Sequence, residues 1–447
     1  MTRSYDAIVV GAGVAGLAAA TLLSEAGKRV LVLEARGIAG GRATAFRDRE
    51  TGERVDNGQH VLFGCYHETF KLLRRIGAEA NVRVQPTLEV PYIGPDGTRS
   101  VLRCPEVLSP LHLLAGVLRW DALGLADRLR VLGVAIPLLR ARTLLARGHV
   151  DRTPGTVADW LDRHHQRGRL RDWLWEPLAV AALNQAPEEA AAAPFVTVLA
   201  HMFGPDIRDA SIALPLRPLN EMYADPAVRY VEAKGGSVRL NALARICIGG
   251  GGVEAVDVRG ERFTAPRVIA AVPWFALGML LTGDTAAMQP TIDRAQAMDA
   301  KPIVTVNLWY DRPVMEETFV GLPGRQIHWV FDKRLAFGES ASHLSLVASG
   351  ADSLVGLDRD ALVTLAAREV ADAIPGARAA TLVRGTVIRE KRATFSLAPG
   401  QPPRPGVATP VRGLLLAGDW IDTGLPGTIE SAALAGHRAA QFAIDNP

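Results

Sequence analysis

The sequence predicts an α/β protein in which a parallel, helix-covered sheet is joined to a discontinuous α+β region. Three observations carry this. The apolar run Ile8–Val10 ends at a glycine and is followed from Ala15 to Ala26 by small residues that read as a helix. A second apolar run, Val30 to Leu33, closes on an acid, Glu34. A third, Leu414 to Leu416, leads into Gly418-Asp419, so strands of the same kind come from well-separated parts of the chain.

The first strand–turn–helix unit carries Gly11, Gly13 and Gly16 as G-x-G-x-x-G. The first glycine permits the tight turn, the second lets backbone approach a pyrophosphate, and the third lets helix and strand pack closely. The helix N-terminus, with Ala15 in its first turn, offers free N–H groups and a positive dipole end to phosphates. Glu34, with Ala35 beside it, stands about 20 residues on, where a carboxylate takes a ribose hydroxyl pair. The spacing predicts a Rossmann-type dinucleotide domain; the plain alternative is a glycine-rich turn in an ordinary βαβ unit. Gly40-Gly41-Arg42 follows at once, and NAD does not need a second glycine pair with an arginine. This stretch resembles the extended FAD signature of the amine oxidase and carotenoid desaturase superfamily, which implies FAD as cofactor, with Gly41 and Arg42 along its diphosphate and flavin side.

At 447 residues the chain has length for two to three domains' worth of core. Apolar content of 48% and charge of 22% are those of a globular protein. The net charge of +3, with no basic run interleaved with aromatics, excludes a nucleic-acid partner. Cys65, Cys104 and Cys247 make neither a disulfide framework nor a metal pattern, so a reducing compartment and no metal are expected. The fold begins by Tyr5, which leaves no room for a signal peptide, and no apolar run reaches the ~18–20 residues of a membrane span. A cytoplasmic protein, peripheral on the inner face of the membrane, is expected.

Further along, a charged hairpin-like stretch over 48–54 precedes Val55-Asp-Asn-Gly-Gln-His60. Asp56 and Gly58 match the superfamily's D-x-G segment, which passes the flavin ring, so Gly58 and Gln59 are placed on the cofactor. His60 reads equally as an acid or substrate contact and as a histidine bonded into the flavin pocket without chemistry. Two short strands are expected over 87–103. Residues 108–147 are rich in Leu, Val and Ala with arginines every few residues: a membrane-contacting helical face or a core layer with a solvated side. Helices are expected over 156–183, from the break at 184–189 to about 203, and over 358–374; strands over 303–310, 327–330, 344–347 and 383–388. Gly235-Gly236-Ser237-Val238 resembles the superfamily turn beside the adenine, with contact through the Val238 backbone. The run Leu414–Trp420 places Gly418 and Asp419 on the ribityl chain. The following helix turns the amides of Gly427, Thr428 and Ile429 toward the flavin pyrimidine edge. The division expected is 1–86, 215–273 and 399–447 for FAD, 87–214 for a helical substrate or membrane part, and 274–398 for a substrate sheet and helix.

Arg389-Glu-Lys-Arg-Ala-Thr394, Gly64-Cys-Tyr66 and Ala417-Gly-Asp-Trp-Ile-Asp-Thr-Gly-Leu-Pro426 are similar to the hydroxysqualene dehydroxylases of hopanoid synthesis, with a wider likeness to plant-type phytoene desaturases. The resemblance implies reductive loss of an allylic hydroxyl from a C30 isoprenoid, with enzymes that make or use squalene as partners. The hydroxyl leaves as water, so a proton donor is required; His60, Glu390 and Asp422 are the candidates. Many superfamily members carry a lysine linked through water to the flavin; its position here falls on Thr305, which counts against amine oxidation. A carotenoid- or squalene-type desaturase, and a flavin-free isoprenoid carrier of the GDP-dissociation-inhibitor type, stand as alternatives.

Overall fold

The short apolar runs do become a parallel sheet. In the computed structural model, which describes residues 3–48, 50, 52–149 and 151–446, five strands lie in the order Ser237–Arg239, Val30–Leu33, Ala7–Val10, Arg267–Ala270 and Leu414–Leu416. Every pairing is parallel, with Val9 opposite Val32 and Ile269, and Ile269 opposite Leu415. Side chains alternate across the sheet. Ala7, Val9, Val30 and Val32 pack on helices Val14–Glu25, Asp225–Ala233 and Ile429–Asp445. Ile8, Val10, Leu31 and Leu33 join a core with a second five-stranded sheet built mainly from residues 244–283.

A seven-stranded sheet forms the other half. Its order is Leu382–Phe395, Ala300–Tyr310, Ser342–Ser349, Trp329–Asp332, Phe319–Gly321, Glu89–Ile93 and Arg99–Arg103. Val304, Val306 and Leu308 face the Arg359–Ala373 helix. The opposite face looks toward a helical layer drawn from residues 111–202, against which Tyr92, Trp120, Trp173 and Trp329 cluster. The hairpin expected over 48–54 pairs Ala45–Arg47 with Arg54–Asp56; its positions 49 and 51 lie outside the described residues.

Two expectations need correction. The stretch 156–183 is not one helical run. It stops after Arg163, His165 takes a left-handed φ of 56°, and a π-helical turn at Arg171–Trp175 leads into Glu176–Leu183. Buried Gln166 stabilises the break: its amide donates to the carbonyls of Arg130 and His164, and its oxygen accepts from Trp175 Nε1. The strand at 383–388 instead runs 14 residues to Phe395, because the whole length of Ala300–Tyr310 is available as its partner.

The last helix crosses the first so closely that a Cβ on Gly436 would lie 2.1 Å from the Ala15 carbonyl oxygen. Gly436→Val forces the two apart and should destabilise the fold by about 1–3 kcal/mol, measured by chemical denaturation.

Candidate functional site

The glycine-rich turn is shaped by contacts that side chains would block. Gly11 has φ +107°, and a Cβ on Gly16 would lie 1.9 Å from the Gly11 carbonyl oxygen. The helix N-cap, Gly13, supplies no side-chain cap, which leaves its first amides, Ala15 among them, free for an anion. The second glycine pair backs this turn: Gly40 N–H donates to the Ala12 carbonyl at 2.8 Å, and a Cβ on Gly41 would stand 3.0 Å from Gly13 Cα. Tyr223, fully inside the core, spans the carbonyls of Gly40 and Ala43 with its hydroxyl. Glu34 is buried, and its two oxygens accept from the N–H groups of Ala12 and Arg36 at 2.8 Å, so the acid, with Ala35 between, is fixed at the rim of the turn. The neighbouring edge strand places Val238 opposite Val32. These residues form a groove of bare backbone with one carboxylate at its end, which fits an adenosine diphosphate.

From the other end of the chain, Gly418-Asp419 arrives beside Arg42. The guanidinium pairs with Asp419, donates to the Ala393 carbonyl at 2.6 Å, and lies over Trp274. Trp420 turns away from the site, is fully buried, and donates to the Val272 carbonyl, so it is no part of an aromatic cage. Thr428 caps the last helix by accepting from Ser431 N–H, while the first amides, from Ile429 on, have no partner within the helix. Gly427 packs against Thr394 and Phe395. Glu430 fixes this helix start: it accepts the N–H groups of Glu68 and Thr69 at 2.9 Å and so caps the His67–Arg75 helix. A small apolar pocket lies here, between Cys65, Tyr66, Val198, Leu425 and Thr428.

Between these ends runs the 56–60 segment. A Cβ on Gly58 would lie 3.6 Å from Thr305 Oγ1, a buried hydroxyl with no hydrogen-bond partner among the described residues. His60 Nδ1–H donates to the Gly58 carbonyl at 2.7 Å, leaving Nε2 as the free ring position. Burial holds the His60 pKa below the usual 6.5; the Gly58 bond and Asp56 oppose this, and the charges of Lys333 and Arg42 add to it. Asn57 Nδ2 donates to the Arg42 carbonyl at 3.1 Å and to Glu390 Oε2 at 3.3 Å. The segment thus joins His60, Glu390 and Arg42. It does not gather Asp422, which is exposed and lies 3.7 Å from Arg404.

Sequence reasoning missed Lys333. Its side chain has no exposure, its ammonium lies 2.7 Å from Asp56 Oδ2 and 2.6 Å from Gln59 Oε1, and it sits over the Phe337 ring. A lysine directly after a strand gives no signal of burial. Asn57 and Tyr223 were missed for a similar reason, since their partners lie far away in sequence. Among the described residues there is no cluster of metal-ligating side chains, and no helix is long and apolar enough to cross a membrane.

Residues 14–444 match the flavin-containing amine oxidoreductase family. The chain belongs to that family. It is an FAD-dependent oxidoreductase. The likeness to hydroxysqualene dehydroxylases holds from end to end: the enzyme of that name from Rhodopseudomonas palustris is 32% identical, over 98% of this chain and 97% of its own length. A 15-cis-phytoene desaturase from Synechococcus elongatus is 25% identical, over 98% and 95%. An oxidoreductase structure from Methanosarcina mazei superposes with a TM-score of 0.75 at 18% identity, covering 97% of this chain and 99% of that one, and so shares the fold.

Asp419 is the acid on which Arg42 closes. Asp419→Ala removes a charge-assisted contact of about 1.5–3 kcal/mol, and FAD affinity should fall about 10- to 150-fold in fluorescence titrations of the apoprotein.

Proposed function

We propose that this protein reduces the allylic carbon–oxygen bond of hydroxysqualene, releasing water and giving squalene for triterpenoid synthesis. The end-to-end likeness to hydroxysqualene dehydroxylases carries this reading. Thr305, standing where amine-oxidising relatives resembled by this chain carry a lysine, supports it over amine oxidation. When bound and reduced, FAD supplies the hydride that replaces the hydroxyl. The proton that turns the hydroxyl into water comes from His60. With Nδ1–H held on the Gly58 carbonyl, the second proton of the imidazolium sits on Nε2, the position open to a ligand. Glu390, tied to Asn57, is the second donor candidate.

Purified holoprotein given hydroxysqualene and a chemical reductant is expected to form squalene, detected by mass spectrometry. Desaturated product from phytoene, with no squalene, would instead establish the desaturase reading. His60→Asn should lower kcat by about 10²- to 10⁴-fold. The proton must be on the ring, so kcat/KM is highest below the His60 pKa and falls as pH rises through a midpoint below 6.5. An unchanged profile in His60→Asn would move the donor role to Glu390.

The same reading places residues 108–147 on lipid. Leu108 is 81% exposed, Leu125 73% and Ile136 63%, and Leu111, Leu129 and Leu139 are exposed beside them. Six arginines and only two acids, Asp121 and Asp127, share this stretch, so it carries a net positive charge beside its exposed apolar residues. The surface suits the anionic inner face of a cytoplasmic membrane. The protein should sediment with phosphatidylglycerol vesicles, weakly with phosphatidylcholine vesicles, and lose binding in Leu125→Glu/Ile136→Glu. Concentration-dependent dimers without vesicle binding would assign the face to a second copy of the chain.

A further inference from the structure

Lys333 follows the Trp329–Asp332 strand and opens the short Lys333–Phe337 helix, and its side chain is wholly enclosed. An ammonium has three donors. Here one meets the Asp56 carboxylate at 2.7 Å, one meets the Gln59 amide oxygen at 2.6 Å, and the charge rests 3.7 Å from the centre of the Phe337 ring. A simple core ion pair would need the carboxylate alone. The second bond reaches Gln59, which lies between Gly58, packed toward Thr305, and His60. Asp56 spends its other oxygen on the Leu219 N–H at 3.0 Å, so the start of the segment is pinned on both sides.

We propose that Lys333 is a positioning residue for the bound flavin: through Asp56 and Gln59 it fixes the path of residues 56–60, and with it the backbone and His60 ring that the segment presents to the cofactor. The inference rests on FAD as cofactor and not on the identity of the substrate. A lysine at this place couples the seven-stranded sheet to the cofactor groove, so displacement of one is transmitted to the other through two hydrogen bonds.

Two variants separate positioning from mere stability. Lys333→Met/Asp56→Asn removes both charges together and leaves an acceptor for Leu219 N–H, so the core stays neutral. Gln59→Leu keeps the ion pair and cuts only the second bond. Both are purified as apoprotein, checked by thermal melting, and reconstituted with FAD. Dissociation constants are read by flavin fluorescence, and the ring environment by visible circular dichroism of the bound flavin. Both variants are expected to bind FAD at least tenfold more weakly, with an altered visible spectrum, while Gln59→Leu, which leaves the buried ammonium one acceptor short, still folds and melts cooperatively a few degrees below the unmodified apoprotein. FAD affinity within threefold of the unmodified protein and an unchanged visible spectrum in either variant would overturn the proposal, leaving Lys333 as a core ion pair. These readouts need no substrate, so they stand or fall separately from the dehydroxylation assay.

Discussion

The Asp56 carboxylate receives a lysine ammonium from the seven-stranded sheet on one oxygen and the Leu219 N–H on the other. Leu219 leads into the turn that carries Tyr223, and the Tyr223 hydroxyl holds the carbonyls of Gly40 and Ala43. Hydrogen bonds and the short chain segment from Leu219 to Tyr223 therefore link the end of a strand in the seven-stranded sheet to the glycine-rich turns. Breaking a buried pair by losing one partner costs about 3–5 kcal/mol, several times a surface ion pair. That magnitude makes the junction a stronger constraint than the exposed arginine–carboxylate pairs elsewhere on the molecule. The two sheets also share one hydrophobic cluster, which holds Ile8 and Leu31 together with Phe331 and Val347, and the buried charge adds a fixed polar point to that packing.

The cofactor groove was legible because its signals are local. Gly11, Gly13, Gly16 and Glu34 each act within one strand–turn–helix unit, and the backbone contacts that require glycine are set by the turn itself. Asp419 and Arg42 were legible singly, and the structure adds that they meet. Lys333, Asn57 and Glu430 act through partners that the chain brings together only in three dimensions, and no periodicity marks them. The helix expected over 156–183 failed on one residue: Gln166 reads as a surface side chain in a polar stretch, yet it is buried and satisfies the groups that the break exposes. His60 and Glu390 were found by likeness to relatives; their link through the 56–60 segment was not visible in the letters.

The likeness to amine-oxidising and isoprenoid-acting proteins alike follows from this division. The two glycine-rich turns offer bare backbone with Glu34 beside them, features that any chemistry on a flavin can share. Facing them in this chain are the side of the seven-stranded sheet that carries Thr305 and the helical layer with its aromatic cluster. A shared fold and cofactor do not fix the reaction, which lives in the side chains of the site.

Arg42 and Asp419 are separated by 377 positions, yet the groove is not closed until they pair. A chain that stops short of Asp419 lacks both the fifth parallel strand and the acid, and exposes the apolar face of the first helix that the last helix covers. The first and last parts of the chain are therefore needed together, both for the sheet and for the Arg42–Asp419 pair.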